Sequence, residues 1–165
     1  MAVRTGAHAQ RLPGRGSLRG LVGRWGRDGD TVGALLDGMS EAGWHTLRDV
    51  DTADGRIEHL TVGPGGVFVI STSVRSGRVS VETIDERTYE GPNALARCVE
   101  AAVGRKVTPV LVYRFAKLSR PVSRQRGVIV LMTKTLGEHL GRRRARLTDA
   151  EVHSLHHQLV GMDWD

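Results

Sequence analysis

The stretch Val62-Gly63-Pro64-Gly65-Gly66-Val67-Phe68-Val69-Ile70 decides the fold of this chain. Gly63 to Gly66 predicts a tight turn, because proline fixes one backbone dihedral and glycine supplies positive φ. The four apolar residues after the turn are typical of a strand that is buried on both faces of a sheet. Ile57, Leu60 and Val62 before the turn predict a partner strand. A β-hairpin whose second strand lies inside a sheet is therefore expected at the centre of the fold.

The segments around this hairpin alternate between helical and extended patterns. Apolar residues recur at helical spacing from Val32 to Met39, and Gly43 is placed to end that turn of helix. The same reasoning predicts strands at 44–50, 108–113 and 127–132, a further strand at 78–83, and helices at 94–103, 133–140 and 148–160. This order predicts an α/β (α+β) fold with one mixed central β-sheet flanked by helices.

The length of 165 residues suits a single domain, and the charge divides the chain in two. Residues 1–29 carry a balance of +5 and residues 30–165 only +1, within the net charge of +6. We expect a flexible Arg/Gly-rich arm at 1–28 and a folded domain at 29–165. The arm can contact nucleic-acid phosphates and stack an indole on bases. The residues predicted for this contact are Arg15, Arg19, Arg24, Trp25 and Arg27; the alternative is a solvated tail with incidental arginines.

Cysteine usage and hydropathy bear on the compartment. Cys98 is the single cysteine, which excludes an internal disulfide and fits a reducing environment. No apolar run approaches the length of a membrane span, and no apolar stretch follows the basic N-terminus as it would in a secretory signal. The sequence therefore predicts a cytoplasmic protein with no membrane partner.

Several segments resemble the nuclease-related domain (NERD) family. They are Gly29-Asp30, Gly43-Trp44-His45-Thr46-Leu47-Arg48-Asp49-Val50, the stretch from Ile57 to Ile70, Pro109-Val110-Leu111-Val112 and Arg126-Gly127-Val128-Ile129-Val130-Leu131. The resemblance extends over roughly residues 29–160, and its most specific part is the hairpin. That family is assigned to the restriction-endonuclease-like, PD-(D/E)XK fold. The resemblance thus implies an αβββαβ core.

The resemblance also implies a catalytic site for phosphodiester hydrolysis. Such nucleases place an acid near the start of the first helix, an aspartate on the second strand and an acid-x-lysine on the third. Asp30 matches the first position and Glu58 the second, whereas Ser71 and Ser73 stand where the acid and the lysine belong. Paired carboxylates hold Mg²⁺ or Mn²⁺ against a phosphate oxygen, and lysine stabilises the charge of the transition state. Serine supplies neither charge.

Three functions follow as hypotheses. The first is a catalytically impaired NERD-like domain that acts as a nucleic-acid-binding or scaffolding module, with DNA contacted through the arm. The second is a weak metal-dependent DNA nuclease in which Asp30 and Glu58 hold the metal with relocated ligands. The third is a protein–protein interaction module.

Glu41 and Glu82 are the nearest acids that could replace the missing ligand, and Arg75 could replace the positive charge.

Two other patterns carry weaker signals. His153, His156 and His157 have the i, i+3, i+4 spacing of helical metal ligands, but no cysteine or carboxylate accompanies them, so ordinary exposed histidines are the favoured interpretation. The run from Arg142 to Arg146 can bind phosphate, although such runs are usually solvated faces.

Overall fold

The computed structural model describes residues 31–164, which form four α-helices, three short 3-10 turns and six strands. The helices are α1 (Thr31–Asp37), α2 (Glu90–Val103), α3 (Thr133–Gly141) and α4 (Asp149–Val160). The strands are β1 (His45–Thr52), β2 (Gly55–Gly63), β3 (Gly66–Val79), β4 (Val107–Leu118), β5 (Val122–Gln125) and β6 (Val128–Met132). Across 31–164 no helix combines the length and the apolar character needed to cross a membrane.

The predicted arm at 1–28 lies outside the described residues, together with Arg15, Arg19, Arg24, Trp25 and Arg27. Asp30 lies outside them as well. The nucleic-acid contacts assigned to the arm, and the role assigned to Asp30, therefore stay predictions.

The six strands form one mixed sheet in the order β1-β2-β3-β4-β6-β5. β1, β2 and β3 make an antiparallel meander, and β4 lies parallel to β3 after the crossover through α2. β6 continues the sheet parallel to β4, and β5 pairs antiparallel with β6 at the edge. The chain order is αβββαβ followed by a β-hairpin, and the mixed sheet has helices on both faces. The predicted fold class is confirmed.

β3 lies near the centre of the sheet, and the side chains on its two faces pack in two different hydrophobic cores. Phe68 and Ile70 are buried with side chains of α1 and α3, whereas Val67 and Val69 are buried with those of α2 and α4. Each strand residue points to the side opposite its neighbour, so a strand with helices on both faces must be apolar throughout. The continuous apolar run in the sequence has this cause.

Local capping interactions set the start of α4 and the end of α2. The Thr148 side chain accepts a hydrogen bond from the Glu151 backbone N–H at 3.2 Å, and the Glu151 carboxylate accepts one from the Thr148 backbone N–H at 2.8 Å. This reciprocal capping box fixes the start of α4. α2 ends at Gly104, whose φ of 66° is in the left-handed region that glycine adopts readily.

The turn of the β2–β3 hairpin is packed under an aromatic ring. Gly63 and Gly66 are the last paired residues, with Pro64 and Gly65 between them. The indole of Trp44 is buried over Gly63, and its ring lies 5.7 Å from that of Phe68. Because a Cβ on Gly63 would lie 2.2 Å from Trp44, only glycine fits at this position. The predicted turn is confirmed.

β3 and β4 extend beyond the rest of the sheet as a two-stranded ribbon. Pairing of β2 with β3 ends at His59↔Ile70, and pairing of β4 with β6 ends at Tyr113↔Met132. β3 and β4 stay paired to Val79↔Leu118, with a register shift between Ser73 and Ser76. We call residues 74–79 and 114–118 the β3–β4 ribbon.

The further strand predicted at 78–83 is wrong. Arg78 and Val79 complete β3, and Val81–Thr83 form a 3-10 turn. The Thr83 backbone N–H bonds locally to the Ser80 carbonyl at 3.1 Å, and Val81 N–H bonds to the Ser119 hydroxyl at 3.0 Å. The alternation of Val79 and Val81 reflects burial of both side chains in one core that also contains Tyr113. The short edge strand β5 was not predicted, because Val-Ser-Arg-Gln has no strong extended pattern.

Candidate functional site

Glu58 lies where β2 and β3 separate, one residue before the final backbone pair His59↔Ile70. Its carboxylate accepts two hydrogen bonds from Thr72, one from the backbone N–H at 3.1 Å and one from the hydroxyl at 2.5 Å. The side chain of Glu58 thus replaces the backbone ladder between the diverging strands. A carboxylate held in this way satisfies a β3 N–H that would otherwise lack a partner on β2.

The neighbouring strand is also irregular at this level. Asp49 of β1 has a φ of 51°, in the left-handed region that non-glycine residues enter at a cost of about 1–3 kcal/mol. Backbone pairing continues on either side of it, at Arg48↔His59 and Val50↔Ile57. Three adjacent strands therefore depart from regular pairing around Glu58, as strands commonly do near functional sites.

Ser71 and Ser73 lie at the same end of the sheet as Glu58. Both are partly buried, and they are in parallel register with Leu111 and Tyr113 of β4. The Ser73 hydroxyl accepts a hydrogen bond from the Arg75 backbone N–H at 3.3 Å. Thr72, between the two serines, donates the two hydrogen bonds to the Glu58 carboxylate described above. The sequence alone does not reveal Thr72 as the partner of Glu58, because this contact depends on where β2 and β3 separate.

The acids and the cation considered as replacements are placed elsewhere or otherwise engaged. Glu82 accepts a hydrogen bond from the Ser80 hydroxyl at 2.8 Å and forms an ion pair with Arg120 at 2.9 Å. Glu41 is exposed in the 3-10 turn that precedes β1. Arg75 is exposed, and its charge lowers the pKa of Tyr113, which burial raises more strongly. Across 31–164 no three His, Cys, Asp or Glu side chains are placed to share a metal ion.

Replacing Glu58 by alanine should reduce the free energy of unfolding by about 1–3 kcal/mol, because the Thr72 N–H and hydroxyl lose their acceptor. Urea denaturation measures this. The exposed Glu41→Ala should change stability by less than about 0.5 kcal/mol. Residues kept for activity are often destabilising, so their replacement can raise the free energy of unfolding. A gain in stability for Glu58→Ala would therefore contradict the role given to Glu58 here.

The β3–β4 ribbon exposes apolar and cationic side chains together. Phe115 is 59% exposed and Val74 73% exposed. The register places Ser76 beside Phe115 and Arg78 beside Lys117, and the guanidinium of Arg114 lies 5.0 Å from the Phe115 ring centre.

The ribbon also carries several positive side chains that are not paired with a carboxylate of residues 31–164. Arg75, Arg78 and Lys117 are exposed, and none forms an ion pair with a carboxylate in the described part of the chain. Aromatic rings beside uncompensated cations suit nucleic-acid bases and phosphates. The sequence offered a weak signal for this surface in the order Arg114-Phe115-Ala116-Lys117.

The three histidines of α4 do not converge on one point. His153 and His156 instead meet His45 of β1, with ring centres 5.3 Å and 4.7 Å apart. The Nδ1–H of His153 donates to the carbonyl of Asp149 at 2.9 Å, so that nitrogen is engaged. Burial lowers the pKa of His156, and His45, His153 and His157 lower it further.

Stability should fall as the pH drops below about 6.5, the ordinary pKa of histidine. The pKa of His156 is lower in the folded chain, so the unfolded chain takes up the proton first and unfolding is favoured. His139, whose pKa burial also lowers, acts in the same direction. Melting temperatures of His156→Gln should fall less than those of the wild type between about pH 7.5 and 5.5. His157→Gln removes only the smallest of the causes that lower the pKa of His156, so its melting temperature should fall almost as far as that of the wild type. Equal losses in all three proteins would contradict the role given to His156.

No family model matches the chain, and no curated protein matches it. Among solved structures, the crystal structure of a repair endonuclease from Pyrococcus abyssi aligns with 74% of this chain at 14% identity and a TM-score of 0.38. The aligned part is 48% of that protein, so the chain spans about half of its length.

Proposed function

We propose that this chain is a nuclease-fold domain that binds nucleic acid without hydrolysing it, as a catalytically impaired relative of the NERD family would. The observation that carries the proposal is the β3–β4 ribbon. It presents an exposed phenyl ring among uncompensated cations at the sheet end that bears Ser71 and Ser73. A stacking ring next to positive charge is the arrangement by which proteins hold single strands with little sequence preference.

The absence of hydrolysis is argued from charge. Metal-assisted attack on a phosphodiester needs carboxylates that hold the cation and a lysine that stabilises the developing charge. Ser71 and Ser73 carry neither, and Glu58 is hydrogen-bonded to Thr72. A hydrogen-bonded carboxylate can still ligate a cation, but Asp30 and Glu58 would have to hold it without the third carboxylate, and serine stands where the lysine is expected.

The arm at 1–28 supplies a second, electrostatic contact in this proposal. Its six arginines and single aspartate are suited to follow a phosphate backbone, and Trp25 can stack on a base. The contacts made by the ribbon and by the arm then differ in their dependence on salt. Stacking on Phe115 depends weakly on salt, whereas arginine–phosphate contacts release counterions and depend on it strongly.

Fluorescence anisotropy with a labelled single-stranded oligonucleotide tests the proposal. The full chain should bind at low salt, with affinity that falls as salt rises. Deleting residues 1–28 should lower the slope of log affinity against log salt by about 0.7 for each phosphate that the arm contacts. A melting curve of the deleted protein shows whether it is folded. Failure of the full chain to bind at low salt would overturn the proposal, and an unchanged slope would remove the arm from it.

A further inference from the structure

The arginine run after α3 is not a uniformly solvated face. Arg142 forms an ion pair with Glu138 at 2.7 Å on the exposed side. Arg143 turns inward, where it is partly buried and its guanidinium lies 5.0 Å from the centre of the Phe68 ring. Its Nη1 is 3.4 Å from Nε2 of His139. Neighbouring arginines therefore have opposite environments.

The loop that carries Arg143 is fixed to the turn of the β2–β3 hairpin. The carbonyl of Pro64 accepts hydrogen bonds from the backbone N–H groups of Arg146 at 2.7 Å and Leu147 at 3.1 Å. Gly65 allows close approach, since a Cβ there would lie 3.0 Å from Cβ of Arg143. The position of Arg143 is thus set before any ligand arrives, which lowers the ordering cost of binding.

Arg124 and Arg146 bring like charge to the neighbourhood of Arg143. Arg124 of β5 is directly opposite Ile129, whose side chain packs in the same core as Phe68, so it lies on the sheet face that carries Arg143. Burial lowers the pKa of Arg143, and Arg146 from the same loop and Arg124 from β5 lower it further. Burial also lowers the pKa of His139, and the positive charges of Arg143 and Arg124 lower it further. None of these four residues forms an ion pair with a carboxylate anywhere in 31–164. Like charges held together in a partly buried place destabilise a fold unless an anion joins them.

This cluster lies far along the sheet from the β3–β4 ribbon. Phe68, under Arg143, is beside Thr108 near the start of β3 and β4. The ribbon is formed by the opposite ends of the same two strands. The cluster is therefore a separate place on the molecule, and its role does not depend on the ribbon.

The geometry points to a phosphate-binding site made by Arg124, Arg143, Arg146 and His139. Guanidinium groups match two oxygens of a phosphate at once, and several around one group supply the charge that it needs. The ligand class is a phosphate group with more than one negative charge, carried either by a small phosphate compound or by a nucleic acid.

Isothermal titration calorimetry of the full chain with inorganic pyrophosphate tests the site. Saturable binding is expected, and Arg143→Gln and Arg124→Gln should each weaken it tenfold or more. Arg124 is exposed, so its variant keeps the test valid if Arg143→Gln fails to fold. Arg144→Gln is the matched control, because it removes the same charge from the same run at an exposed position and should leave affinity within about twofold. Absence of saturable binding, or equal losses in Arg124→Gln and Arg144→Gln, would overturn the proposal.

Competition identifies the source of the phosphate. If an oligonucleotide displaces pyrophosphate only when it bears a 5′-phosphate, the site binds strand ends. Displacement with or without that group assigns the site to backbone phosphates, and no displacement assigns it to a small phosphate compound. Phe115→Ala should leave pyrophosphate affinity unchanged. A loss of oligonucleotide binding at the ribbon can therefore be told apart from a loss at this cluster.

Discussion

Gly63→Ala is expected to destabilise the protein by about 3 kcal/mol, the upper part of the range for overpacked cores. The added methyl would lie 2.2 Å from Cδ2 and Cε3 of Trp44, well inside contact distance. The clash is with the body of a rigid indole that is itself buried against Phe68, so no flexible chain end can move aside. Relief requires a shift of Trp44 out of the core or separation of the β2–β3 turn.

Gly91→Ala is the matched control for this change. Gly91 lies within α2, and a Cβ there would meet nothing within 4 Å. Alanine favours a helix over glycine by up to about 1 kcal/mol, so this variant should be as stable as the wild type or slightly more. Denaturant unfolding measures both free energies. Equal stability of the two variants would show that Trp44 does not pack on Gly63 as described.

Phe115→Ala is expected to weaken binding of a single-stranded oligonucleotide by tenfold or more. Loss of one stacked base costs about 1–3 kcal/mol in proteins that bind single strands. The salt dependence should stay as in the wild type, because the substitution removes no charge. Lys117→Gln should instead reduce the slope of log affinity against log salt by about 0.7.

Val160→Ala controls for the loss of an exposed apolar side chain. Val160 is 59% exposed, like Phe115, but it ends α4, away from the ribbon. Its variant should bind the oligonucleotide as the wild type does. If Phe115→Ala also binds like the wild type, the ribbon is not the surface that contacts bases.

The hairpin and its strand order could be predicted because their signals are local. Pro64 and the glycines around it define a turn, and Val67 to Ile70 are apolar at every position. The same logic failed after Ile70. Residues 71–78 are mostly polar, yet they continue β3, since pairing with β4 rather than burial keeps them extended. Long-range pairing of this kind leaves little trace in the composition of one strand.

The site was predictable only in outline. The sequence alone shows serines at 71 and 73, where the resemblance predicts an acid and a lysine, and it shows the acid at Glu58. The bond from Thr72 to Glu58 depends on where two strands separate, which no spacing rule specifies. The partly buried position of Arg143 depends equally on the hairpin turn beneath its loop. A run of arginines cannot reveal which of its members faces inward.

We propose above that this domain binds nucleic acid without hydrolysing it. Incubation of the full chain with end-labelled DNA in Mg²⁺ and in Mn²⁺, with binding and strand length read from the same samples, tests it most directly. The DNA should stay at full length with the wild type, with Glu58→Ala and with Asp30→Ala. The wild type should also bind it. Cleavage by the wild type that disappears in Glu58→Ala or Asp30→Ala would contradict the claim and establish a metal-dependent nuclease.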